Sequence, residues 1–109
     1  MSKYKKIYIL GIGGTGMSSI AKYLSQSGLD VRGYDQRKSY ITNALEQEEV
    51  GIDFELEDII YREDTLFIFS TAFDISKTNL SSYSLNTNII SRPEFLKELT
   101  KDKHVIGVT

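Results

Sequence analysis

The sequence has 109 residues, the length of one small domain: enough for a hydrophobic core, short for a complete α/β enzyme. Its 13 Lys and Arg against 15 Asp and Glu leave a net charge of −2, which excludes a general attraction to nucleic acid or to an anionic membrane. The absence of cysteine excludes disulfides, a thiolate nucleophile and a cysteine-based zinc site. No apolar run approaches the ~20 residues of a membrane-spanning helix and no long apolar leader precedes the first strand, so a cytoplasmic location is the expectation.

Residues 5–18 read KKIYILGIGGTGMS. An apolar strand over 7–10 stops at Gly11, and Gly13, Gly14 and Gly16 follow before an amphipathic stretch begins at Met17. Gly11, Gly13 and Gly16 fit G-x-G-x-x-G between a strand and a helix, the context that gives this motif its meaning. Backbone without Cβ atoms can turn sharply and let a diphosphate approach the peptide N–H groups at a helix N-terminus. The spacing of Met17, Ile20, Ala21 and Leu24 predicts a helix over 15–27, closed by Gly28.

A second strand over 29–34 ends at Asp35, nineteen residues beyond Gly16. A carboxylate at about that distance meets a ribose hydroxyl in dinucleotide-type folds, or else forms an Asx turn leaving the strand. A second helix is predicted over 39–49, with Ile41, Ala44 and Leu45 on one face, ended by Gly51; a brief third strand over 52–54 follows. The acidic residues Asp53, Glu55, Glu57 and Asp58 lack the Asp/Asn-Gly spacing of a cation loop and read as a solvated face.

Residues 66–69 are continuously apolar, as in a strand buried on both faces of a parallel sheet. Ser70, Thr71 and Ala72 follow at its carboxyl end, where open α/β sheets bind ligands, although Ser and Thr there equally satisfy local backbone groups. The Ser-, Thr- and Asn-rich stretch 74–88 is expected to hold a short helix near 79–85, then a strand over 88–90. Ser91-Arg92-Pro93-Glu94 announces a helix to residue 100, with Pro93 at its first position. Arg92 is placed either to reach an anionic ligand or to form a surface ion pair with Glu94 or another carboxylate. A turn at Lys101-Asp102-Lys103, a surface His104 and a last strand over 105–108 complete the chain.

Alternating strands and helices predict an α/β, Rossmann-like three-layer fold with a mostly parallel sheet of five or six strands, one domain over 1–109. No nucleophile, general base or metal cluster accompanies the glycine loop, so no catalytic and no metal-binding residue is assigned. A closing strand VIGVT would normally feed a loop and helix. No G-x-x-x-x-G-K-[ST] lies within the sequence, so this chain alone is expected not to hydrolyse ATP.

Taken together, GIGGTGMSSIA at 11–21, Gly33-Tyr34-Asp35, Ser70-Thr71-Ala72 and Ser91-Arg92-Pro93-Glu94-Phe95-Leu96 resemble, in order and spacing, the first domain of the Mur ligases, most closely their L-alanine-adding branch. The resemblance implies a domain that holds the UDP part of UDP-N-acetylmuramic acid and needs no cofactor itself. ATP and Mg2+ would serve other domains of the full enzyme, where the lactyl carboxylate is activated as an acyl phosphate and attacked by L-alanine. By position, Gly11, Gly13, Gly14, Thr15, Gly16 and Met17 would surround the diphosphate, with Ser18 as a hydroxyl donor. Asp35 would face the uridine, Ser70, Thr71 and Ala72 would line the pocket, and Arg92 would lie near it. Many relatives carry a Gly-His pair after the third strand, where this chain has Phe54-Glu55-Leu56-Glu57, and Tyr34 and Thr71 each replace a family serine. Two other readings of the same residues stay open: an NAD(P)-binding module of a dehydrogenase or sensor, and an interaction module without a ligand.

Overall fold

A strand with apolar residues on both faces must be covered on both sides, and the run KIYIL is such a strand. In the computed structural model, which describes residues 4–83, 86 and 88–101, it forms β1 (Lys6–Leu10). The chain continues through α1 (Thr15–Gln26), β2 (Asp30–Tyr34), α2 (Tyr40–Gln47), β3 (Gly51–Asp53), β4 (Thr65–Phe69), β5 (Ile89–Ser91) and α3 (Arg92–Lys101). Among the described residues the sheet has five strands in the order β3-β2-β1-β4-β5, and every pairing is parallel. Leu10 lies level with Tyr34 on one side and Phe69 on the other, so β1, β2 and β4 end together. The chain leaves β1 toward β2 and later returns to its other flank as β4. That reversal opens a crevice at the carboxyl ends of the central strands.

The two faces of the sheet are covered differently. Ile7, Ile9, Val31, Leu66 and Ile68 pack against Met17, Ala21 and Leu24 of α1, Leu45 of α2 and Phe95 of α3. On the opposite face Tyr8, Leu10, Tyr34 and Phe67 meet Ile59, Leu80 and Ile89, with Tyr61, Phe69, Phe73 and Ile75 around them. The covering there consists of loops and three short 3-10 helices, Leu56–Asp58, Ile75–Lys77 and Asn79–Tyr83. The helix expected near 79–85 is therefore a 3-10 turn, and its composition explains why. Thr78 Oγ1 donates to the Ile75 carbonyl and accepts from Leu80 N–H, while Ser81 Oγ donates to the Thr78 carbonyl. Side chains that bond the nearby backbone in this way compete with a regular helical ladder.

Other boundaries shift by a residue or two. Ser39 caps α2 rather than beginning it: its hydroxyl accepts from Thr42 N–H, and Thr42 Oγ1 accepts from Ser39 N–H. The helix ends before Glu49, which adopts φ 67°, and Gly51 is the first residue of β3 instead of the stop. Helix α3 starts at Arg92, one residue ahead of Pro93. Ser91 and Glu94 form a reciprocal cap, with Glu94 Oε1 accepting from Ser91 N–H and Ser91 Oγ from Glu94 N–H, each at 3.3 Å. The turn at 101–103 gives way at Lys101 to the end of α3. Residues 102–109, with His104 and the expected last strand, lie outside the described residues.

Asp53 departs from its reading as part of a solvated acidic face. It accepts from the Tyr8 hydroxyl at 2.9 Å and from Arg32 Nη2 at 3.2 Å, tying β1, β2 and β3 together. Burial and the Asp53 hydrogen bond push the Tyr8 phenol far above the ordinary tyrosine range. Because the native state holds this proton more tightly than the unfolded chain, the contribution is complete below the unfolded value of about 10 and is lost as pH rises beyond it. Denaturation series at increasing alkaline pH should show a fall in stability that is shallower in Tyr8→Phe; equal slopes in the two proteins would refute the assignment.

Asn88 is the polar counterpart in the second core, 4% exposed. Its Nδ2 donates to the carbonyls of Thr65 at 2.8 Å and Arg62 at 3.1 Å, and its Oδ1 accepts from the Tyr61 hydroxyl at 2.9 Å. Asn88→Ala strands these buried partners and is expected to cost about 1–3 kcal/mol, read as a lower urea midpoint at unchanged slope.

Candidate functional site

The turn after β1 is held by one acceptor: the Tyr34 carbonyl receives Gly11 N–H at 2.9 Å and Ile12 N–H at 3.0 Å. Gly11 adopts φ 83°, a conformation that a side chain would strain, and the chain then turns through Gly14 N–H to the Gly11 carbonyl at 3.1 Å. Gly14 is the N-cap of α1, and no side chain caps the helix. The first backbone bond of the helix runs from Ser18 N–H to the Gly14 carbonyl at 2.8 Å. The N–H groups of Thr15, Gly16 and Met17 consequently make no hydrogen bond within the described residues. Oriented donors and the positive end of the helix dipole meet at this corner.

Two charged side chains close on the loop. A Cβ at Gly13 would lie 2.7 Å from Asp35 Oδ2, and Gly13 N–H donates to that oxygen at 2.8 Å. A Cβ at Gly16 would lie 2.9–3.0 Å from the guanidinium of Arg92, which rests against the first turn of α1. Arg92 has no ion-pair partner among the described residues, and its Nε is buried without a hydrogen bond. Glu94, the alternative partner, is occupied by Ser91. A cation placed against the positive end of a helix is unfavourable by itself and becomes favourable with an anion between them.

Beside this corner lies a cleft of 470 Å³ at the carboxyl ends of β1, β2 and β4. It gathers five of the residues expected from the sequence: Gly11, Gly14, Asp35, Ser70 and Ala72. Gly13 and Gly16 sit behind the rim under Asp35 and Arg92. Ser70 N–H is taken by the Leu10 carbonyl, but its hydroxyl makes no hydrogen bond within the described residues. Thr71 is exposed outside the lining. Ser18 Oγ donates to the Thr15 carbonyl at 3.0 Å, and the Met17 side chain is buried in the core, so Met17 offers only its amide. Asp35 accepts from Arg37 N–H at 3.1 Å as well as from Gly13, so it forms the Asx turn and lines the cleft at once.

The far wall was not read from the sequence. Tyr34, Gln36, Leu56, Phe73, Asp74 and Lys77 complete the lining, and the Tyr34 and Phe73 rings meet edge to face at 5.8 Å. Burial and the adjacent Asp35 raise the Tyr34 phenol above its ordinary range. A larger cavity of 610 Å³ opens at the opposite end of the strands, where Lys6, Asp30 and Thr65 begin them. Its Lys6 and Arg32 are paired with Asp64 and Asp53, and its remaining cation, Arg62, shares the lining with the carboxylates Asp30 and Asp58. Among the described residues no group of three or more His, Cys, Asp or Glu lies together for a metal ion. Among the described residues no helix is long and apolar enough to cross a membrane.

Asp35→Ala releases the Gly13 amide and is expected to lower stability by about 1–3 kcal/mol. Hydrogen exchange at Gly13 should quicken with it, and unchanged exchange would show that the latch does not hold the loop.

Residues 6–104 match the family described as Mur ligase family, catalytic domain. The UDP-N-acetylmuramate–L-alanine ligase of Flavobacterium johnsoniae is 37% identical over 116 residues, covering 99% of this chain and 25% of that protein. The enzyme of the same name from Geotalea daltonii is 36% identical over 109 residues, covering 97% and 23%. The crystal structure of UDP-N-acetylmuramate-alanine ligase from Thermotoga maritima superposes with a TM-score of 0.76 at 23% identity, covering 89% of this chain and 23% of that one. The fold is thus the same, and the chain spans about a quarter of the length of the curated relatives it matches. Match and geometry agree over nearly the whole sequence: this chain belongs to the Mur ligase family.

Proposed function

We propose that this chain is the substrate-anchoring domain of a UDP-N-acetylmuramate:L-alanine ligase, a cytoplasmic enzyme of peptidoglycan synthesis, and that it holds the UDP part of UDP-N-acetylmuramic acid. The observation that carries this is the Arg92 guanidinium lying without a carboxylate against the uncapped start of α1. The names of the relatives support the choice of substrate.

In this reading the amides of Thr15, Gly16 and Met17 and the Arg92 side chain receive the diphosphate. Hydrogen bonds to a charged group contribute roughly 1.5–3 kcal/mol each, and the helix dipole adds about 0.3–1, up to about 2 when partly buried. Two or three such contacts suffice for weak binding. The free Ser70 hydroxyl and the second lone pairs of Asp35 are among the polar groups of the lining open to the nucleoside, with Phe73 as an apolar wall. Amide formation between the substrate carboxylate and L-alanine uses ATP and Mg2+. In the same reading the ion and the nucleotide are held by other domains of the enzyme, which is supported by the lack of a G-x-x-x-x-G-K loop in this sequence.

In an amide-resolved NMR titration, UDP-N-acetylmuramic acid and UDP are expected to move the signals of Gly13, Thr15, Gly16 and Ser18. Arg92→Ala should weaken UDP binding by roughly 10–100-fold. Saturating ligand that moves none of these signals would refute the assignment, and tight NADH binding without a response to UDP would replace it with the dinucleotide reading.

A further inference from the structure

The cleft carries a charge that the glycine loop does not account for. Its lining includes two carboxylates, Asp35 and Asp74, and one ammonium, Lys77. Each carboxylate is committed to the backbone beside it. Asp35 holds the amides of Gly13 and Arg37, and Asp74 accepts from the amide and the hydroxyl of Ser76. Lys77, by contrast, forms no ion pair among the described residues, although its charge acts on Asp74 three residues before it.

The backbone that presents Lys77 is fixed. Asp74 caps the 3-10 helix Ile75–Lys77, Lys77 N–H donates to the Asp74 carbonyl at 3.3 Å, and buried Thr78 closes the turn with both its amide and its hydroxyl on the Ile75 carbonyl. Only the side chain is free, and it is exposed in the lining it shares with Gly11 and Gly14. A flexible stem ending in a point charge suits an anion that arrives and leaves, whereas a planar guanidinium suits one held in a fixed fork. Without Lys77 an incoming diphosphate would meet two carboxylates and no cation within the lining.

We propose that Lys77 is a positioning residue for the nucleoside diphosphate, closing on its phosphate oxygens from the wall opposite the glycine loop and giving the cleft its preference for a diphosphate over the bare nucleoside. This rests on the nucleotide-anchoring reading above. The test compares the chain with Lys77→Gln and Lys77→Arg, titrating each with UDP and with uridine by NMR; the site is exposed on a surface turn, and unchanged spectra away from the cleft verify the fold. Lys77→Gln is expected to lose about tenfold in UDP affinity with uridine unchanged, and Lys77→Arg to recover most of the loss. Equal UDP affinity in Lys77→Gln and the parent overturns the role of Lys77 while leaving the nucleotide site standing. Equal losses for UDP and uridine overturn it as well, because the contact would then be to the nucleoside. A parent chain that binds no UDP sinks the nucleotide reading, and this inference with it.

Discussion

One carbonyl oxygen sets the geometry on which the ligand end of this molecule depends. By accepting both Gly11 and Ile12, Tyr34 fastens the exit of β1 to the tip of β2 and sends the chain back over the sheet. Ile12 is then buried completely, and Gly14 emerges in the cleft lining, where α1 begins. The register that brings Leu10 level with Tyr34 makes this possible, and that register follows from burying alternate residues of both strands on opposite faces. The diphosphate corner is therefore an outcome of sheet packing as much as of glycine content.

The sheet itself is asymmetric. Three α-helices shield one face, while loops and single 3-10 turns shield the other, held by Asn88, Tyr61 and a series of aromatic rings. Tyr83 stacks on Tyr61 at 4.1 Å, Tyr61 on Phe67 at 5.8 Å, and Phe67 leans on Tyr8 at 5.7 Å. Rings supply large buried area with few rotatable bonds, which suits a layer that lacks regular backbone bonding. The wall of the cleft formed by Phe73, Asp74 and Lys77 belongs to this irregular layer, while the glycine loop belongs to the regular one.

What the sequence made legible was whatever depends on near neighbours in the chain. The strand, turn and helix around Gly11 to Met17, the parallel class of the sheet and the cap at Ser91 all arise from residues within a few positions of each other. The contact of Arg92 with Gly16 does not, nor does the hold of Asp35 on Gly13, because each joins residues that only the folded sheet brings together. Asp53 looked like one acid among four, and its partners Tyr8 and Arg32 sit on two other strands. Lys77 lay in a Ser/Thr/Asn-rich stretch without helical or strand periodicity, so nothing local indicated which way it would face.

The place of Arg92 in the chain gives the site a mechanical character. It opens α3, directly after β5, the outermost of the described strands on that side, yet it rests on the helix that follows the central strand β1. An anion seated between them would act as a rivet joining the earliest β-α unit to the latest described one. Since a species that binds only the native form stabilises it by mass action, heat resistance would climb with ligand concentration, and α3 would loosen first when the ligand is withdrawn.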